Sequence, residues 1–161
     1  MFSIKGIKDI VSKNNMQVLY DVRITPRQYD SASKKEIVRF QKSLVDKILN
    51  IPVFKNDTLL IKGKYYDLLE YASLFGIVDL DSAILFGKDY SNEVMKLYYD
   101  LDVLEIQGGM PNIGELVIMK LLTGEQIVFI PDTGKIFNQN WKDKCFSKGQ
   151  RLSENIYAVP Q

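Results

Sequence analysis

Between Gly114 and Phe137 the chain reads GELVIMKLLTGEQIVFIPDTGKIF, and no other stretch restricts the fold as much. Leu116 to Leu122 is almost wholly apolar, and so is Ile127 to Ile130. Thr123-Gly124 and Pro131-Asp132-Thr133-Gly134 break the runs before Ile136-Phe137. β-Branched and aromatic runs punctuated by Gly and Pro read as strands joined by turns. Pro131 presets the first corner of a turn, and Asp132 can bond its own backbone there. The stretch predicts a three-stranded antiparallel meander, central in its sheet and covered on at least one face. A buried helical turn over Leu116 to Leu122 is the competing reading of so short an apolar run.

A chain of 161 residues with 46% apolar and 25% charged residues fits one soluble domain, taken here as 1–161. It is long enough to bury about two thirds of its unfolded surface without a metal or disulfide. Cys145 is the single cysteine, so no internal disulfide forms, and a reducing compartment fits. No apolar run reaches the roughly 20 residues of a membrane span. The opening MFSIKGIKDIVSKNN is interrupted by Lys and Asp and does not read as a signal peptide. A cytoplasmic protein with no membrane contact is therefore expected.

Histidine is absent. That removes the commonest general base and metal ligand and the usual hydrolase triads. The expectation is a protein that is not an enzyme and carries no cofactor.

Net charge is +1, yet the charge is segregated. Residues 1–64 hold 13 basic and 6 acidic side chains, 65–105 hold 2 and 9, and 106–161 hold 6 and 5. The bland reading is a basic element folding beside an acidic edge. The sharper one is an acidic docking surface for a basic partner, since complementary potentials speed and orient association.

Along the chain, Ile4, Ile7, Ile10 and Val11 predict a short amphipathic helix over 3–13. Alternation from Gln17 to Ile24 predicts a strand broken at Thr25-Pro26. Residues 33–49 predict the clearest helix, with Ser33 and Glu36 as a capping box and an apolar stripe through Ile37, Val38, Phe40, Leu44, Val45, Ile48 and Leu49. Thr58 to Ile61 reads as extended and Tyr65 to Ser73 as helix. Phe75 to Phe86 reads as a hairpin around Asp79-Leu80-Asp81-Ser82. Asn92 to Asp100 reads as a short helix capped by Ser91, Leu101 to Ile106 as extended, and Gly108 to Pro111 as a loop. After Phe137 come a polar loop or last helix around Trp141 and an extended tail at Ile156 to Val159. The order predicts an α+β fold, a mainly antiparallel mixed sheet packed by helices.

Four chemistries can be weighed on residue pattern. Asp79-x-Asp81 could hold a divalent cation, but a turn between strands explains it equally well. Asp100 with Glu105 and Gln107 resembles a metal-dependent nuclease core. Gln107 stands where that core needs lysine. Pro131-Asp132 with Lys135 lacks a second carboxylate at the right spacing. Cys145 has Lys142, Lys144 and Lys148 nearby but no histidine to act as its base. No phosphate-binding glycine loop is present. Lys34, Lys35, Arg39 and Lys42 could face nucleic acid, but the balanced total charge argues against direct binding.

The segment from Gly63 to Ala72 (GKYYDLLEYA), followed by Leu74-Phe75-Gly76 and Ile84-Leu85-Phe86-Gly87, resembles the core of the SUKH superfamily. In that superfamily a tyrosine–leucine helix precedes an aromatic and glycine region. Where the superfamily carries Leu-Pro ahead of that helix, this chain has Lys62-Gly63-Lys64. The resemblance runs over about residues 30–140 and includes the Thr-Gly-Glu and Asp-Thr-Gly-Lys turns. It implies a bacterial immunity protein, or antitoxin, that neutralises a cognate toxin, often a nuclease, by direct contact. A phage or regulatory adaptor that inhibits another protein is the alternative it also implies. A basic phosphate-binding cleft on a toxin would meet an acidic strip. The acidic candidates are Asp79, Asp81, Asp89, Glu93, Asp100, Asp102 and Glu105. Tyr90, Tyr98 and Tyr99 are candidate aromatic anchors, with partial core burial as their other possible role.

Overall fold

The computed structural model describes the backbone of residues 4–30, 35–55, 58–61 and 63–160, and side chains outside 27–37 and 55–60. Its centre is an eight-stranded antiparallel sheet. Numbered along the chain, the strands are β1 (Val22–Asp30), β2 (Lys35–Ser43), β3 (Ile48–Asn50), β4 (Val53–Lys55), β5 (Thr58–Ile61), β6 (Glu105–Gly108), β7 (Val117–Lys120), β8 (Gln126–Phe129), β9 (Gln150–Ser153) and β10 (Ile156–Val159). The large sheet has the order β3-β2-β1-β6-β7-β8-β10-β9, and β4 and β5 form a separate pair. The helices are α1 (Ile4–Lys13), α2 (Tyr65–Ser73), α3 (Leu80–Leu101) and the single turn α4 (Gln139–Lys142), which runs into a π-turn over Asp143–Ser147. The fold is α+β, as the order of elements predicts.

The apolar runs of the organising stretch are explained by burial on both faces. Val117 and Met119 of β7, Ile127 and Phe129 of β8 and Ile156 of β10 enter the main core. Ile118, Val128, Tyr157 and Val159 enter a second core closed by Ile136, Cys145 and the partly buried Trp141. Side chains alternate across a strand, so only a sheet covered on both faces asks for unbroken apolar sequence. Strands β6, β7 and β8 form a meander. The expected third strand at Ile136 is instead one bridge to Gly114, and β10 takes its place beside β8.

Three sequence expectations are overturned. The helix over 33–49 is the β2–β3 hairpin; Ser33 of its expected cap lies outside the described residues. Val38 and Phe40 alternate with exposed Arg39, which is period two, but Lys42 occupies the next inward position and disguises it. The hairpin over Phe75–Phe86 is instead mostly the first part of a 22-residue helix, α3, which continues through the helix expected over Asn92–Asp100. The strand over Gln17–Ile24 begins only at Val22, after a 3-10 turn over Met16–Leu19 in which Gln17 N–H donates to the Asn15 side chain. It then runs through Pro26. Among the described residues β6 pairs with β1 only at Arg23 and Ile24, so the missing amide of Pro26 interrupts no second ladder.

That short seam joins the two halves of the sheet. Helix α3 spans it: the Tyr90 hydroxyl lies 2.7 Å from Lys42 Nζ on β2, and the Tyr98 hydroxyl donates at 2.8 Å to the Leu104 carbonyl at the entry to β6. Helix α2 packs tightly against α3 at Gly87, where an added Cβ would meet Leu68 Cδ1 at 2.5 Å.

Candidate functional site: the outward face of α3

Helix α3 starts because Asp79 caps it. Its carboxylate accepts from Ser82 N–H at 2.9 Å, and Asp81 sits favourably in the first turn. That hydrogen bond holds the Asp79 carboxyl below its ordinary value. The Asp79-x-Asp81 pattern is thus accounted for by a helix start. The helix ends at Asp102, which adopts the left-handed conformation with φ 51.

Inward positions are Ala83, Gly87, Ser91, Val94, Leu97, Tyr98 and Leu101, all buried. Ser91, expected as a helix cap, lies mid-helix: its hydroxyl donates to the Lys88 carbonyl and accepts from Phe54 N–H. At about 100° per residue, Asp81, Asp89, Glu93 and Asp100 fall within an arc of about 120° on the opposite side. All four are exposed, together with Leu85, Lys96 and Tyr99 on the same arc. Among the described residues none of the four carboxylates makes an ion pair.

The remaining sequence candidates are placed differently. Asp79 and Asp102 mark the two ends of the face and are exposed. Glu105 lies on β6, 3.7 Å from the Arg23 guanidinium, which offsets its charge. Two tyrosine candidates are corrected. Tyr98 is 4% exposed and bonded inward, so it has no surface to offer a partner. Tyr90 turns its ring onto Phe40 and its hydroxyl onto Lys42, and burial pushes its phenol pKa well above the ordinary value. Only Tyr99, 62% exposed, presents an aromatic ring outward.

Two features escaped sequence reasoning. Leu74, Phe75, Val78 and Leu80 are exposed in and beside the α2–α3 connection, next to the start of the acidic face. With Phe75 and Val78 expected in a strand and Leu80 in a turn, the sequence carried no sign that these side chains form one exposed group. The other is Lys42, expected on a helix surface and in fact 5% exposed. Its ammonium lies 2.7 Å from Asp21 and 4.7 Å from the ring centres of both Tyr71 and Tyr90. It is thus unable to face nucleic acid.

Elsewhere, a polar cleft of about 360 Å³ brings together Tyr20, Glu115, Asp132 and Lys135. Lys135 lies 3.3 Å from Glu115, and Asp132 accepts from Gly134 N–H. Burial and the neighbouring Glu115 raise the Tyr20 pKa. Glu115 is the second carboxylate that sequence spacing near Asp132 did not offer. Both carboxylates are nevertheless engaged within the protein. Asp100 and Glu105 do not form a cation site: among the described residues no three Asp, Glu or Cys side chains converge to hold a metal. No helix among the described residues is long and apolar enough to cross a membrane.

Cys145 is 1% exposed, and burial pushes its thiol up to about 11 despite nearby Lys144. A raised pKa adds stability below the thiol's unfolded value and loses it as pH rises toward about 11. Near neutral pH the native thiol is expected to react with an aromatic disulfide reagent at least about tenfold slower than the denatured chain, followed by absorbance.

No family model, no curated protein and no solved structure matches this chain.

Proposed function

We propose that this protein is a non-enzymatic inhibitor of the immunity or antitoxin type, acting in the cytoplasm. It neutralises a cognate bacterial toxin by covering it with the outward face of α3. One observation carries this reading: Asp81, Asp89, Glu93 and Asp100 share one side of a long helix with no ion pair among the described residues, and exposed Leu85 and Tyr99 lie among them. Such a face supplies charge for steering and apolar area for affinity. A toxin with a basic phosphate-binding cleft, such as a nuclease, fits its sign.

The test is co-expression with the product of the adjacent gene, followed by pull-down and survival. The Asp89→Lys/Glu93→Lys variant should weaken capture at least about tenfold, or about 1.4 kcal/mol. Its thermal midpoint should stay close to that of the parent, because both positions are exposed. Undiminished protection by this variant would overturn the assignment of the face. The exposed group at Leu74, Phe75, Val78 and Leu80 favours the second reading, an adaptor that grips another protein through apolar contact. If substitutions there abolish capture while the charge reversal does not, that reading replaces the first.

A further inference from the structure

The charges that α3 leaves unpartnered have a counterpart on the same molecule. Helix α1 buries Ile7 and packs Ile10 and Val11 against the main core. Its outward side carries Lys5, Lys8 and Lys13 with one acid, Asp9, and ends in Ile4, 39% exposed. Among the described residues none of these lysines makes an ion pair. Helices α1 and α3 are neighbours in the fold. Ile7 of α1 and Val94, Leu97 and Tyr98 of α3 enter the same core, which sets the basic outward side of α1 next to the acidic outward side of α3.

Within a protomer the two faces lie side by side and point outward. Two copies related by a two-fold axis between the helices would place α1 of each over α3 of the other. Such an interface is isologous: the same patch serves both partners, and every contact occurs twice. Lys5 and Lys8 of one copy would meet Asp89 and Glu93 of the next. Leu85, Tyr99 and Ile4 would add apolar contact, and exposed ion pairs alone contribute little. We propose that the protein self-associates as a reciprocal α1–α3 dimer, and that this dimer covers the acidic face of α3. Self-association shares that face with the toxin contact but does not depend on it. Where both occur they compete, so a basic partner would capture the monomer.

Sedimentation equilibrium of the full chain tests this. Dimer is expected at low salt, with the dissociation constant rising at least about tenfold between about 0.05 M and about 0.5 M salt. Lys5→Glu/Lys8→Glu and Asp89→Lys/Glu93→Lys should each sediment as monomer. An equimolar mixture of the two variants should regain dimer, because both helix pairings of the mixed pair are complementary: the reversed α1 meets the reversed α3, and the native α1 meets the native α3. Regain by mixing also guards against misfolding, since an unfolded variant restores nothing. A parent chain that stays monomeric at low salt, or a dimer indifferent to both reversals, overturns the proposal. The lysine variant lies outside the toxin contact and should protect as well as the parent. Thus loss of dimer with intact protection separates the two ideas.

Discussion

Replacing Gly108 by alanine is expected to leave no stably folded protein. An added Cβ would lie 2.1 Å from the Tyr20 carbonyl oxygen and 2.2 Å from that of Leu19. Both are backbone atoms, and the Tyr20 oxygen already accepts from Met110 N–H at 2.8 Å. No side chain can swing away, so the β6 end or the turn before β1 must move. The loss should exceed about 4 kcal/mol, beyond ordinary point substitutions. Gly76 is the matched control. It has φ +81 but nothing within 4 Å of an added Cβ. Gly76→Ala should therefore cost only about 1 kcal/mol, from backbone strain. Urea denaturation of the two variants compares them, and equal midpoints would refute the close approach at Gly108.

The second large effect is expected at Asp21. Among the described residues its carboxylate is the one counter-charge within ion-pairing distance of buried Lys42. Asp21→Leu leaves the ammonium between two tyrosine rings and the Tyr90 hydroxyl, which do not neutralise it. Breaking a buried pair from one side costs about 3–5 kcal/mol, and the 30% exposure of the Asp21 side chain places this case near the low end. Lys42→Met should cost less, about 1 kcal/mol, because it removes the buried charge itself and leaves Asp21 able to reach water. The double variant should recover most of the Asp21→Leu loss. If Lys42→Met is the more damaging single change, the cation–π contacts outweigh the ion pair.

Legibility in the sequence followed how far each pattern was local. Helix α2 could be read at both ends, because the inward spacing of Leu68 and Ala72 is plain in the sequence, although Asp67 and Tyr71 also serve Asn50 and Lys42 far along the chain. Helix α3 could not. Gly87, next to the end of the expected hairpin, is in fact a packing notch for Leu68 from α2. Ser91 looked like a cap, yet its hydroxyl closes a contact with β4. Strand β2 was hidden by Lys42, whose inward position makes sense only once Asp21, Tyr71 and Tyr90 surround it. The acidic members of the candidate face were legible by composition, since six of the nine acidic residues of 65–105 lie on α3 or cap its ends. The tyrosines were not. Tyr98 and Tyr99 are adjacent in sequence but about 100° apart around the helix, and only the helix's orientation on the sheet decides which is buried.

The two-residue seam between β1 and β6 gives α3 a mechanical task beyond carrying side chains. Among the described residues the strands of the two sheet halves pair only at Arg23 and Ile24, while Tyr90 and Tyr98 fasten the helix to either half, so α3 works as a splint across a narrow joint. A molecule gripping its outer side would brace that joint, and recognition and rigidity would then reside in the same rod.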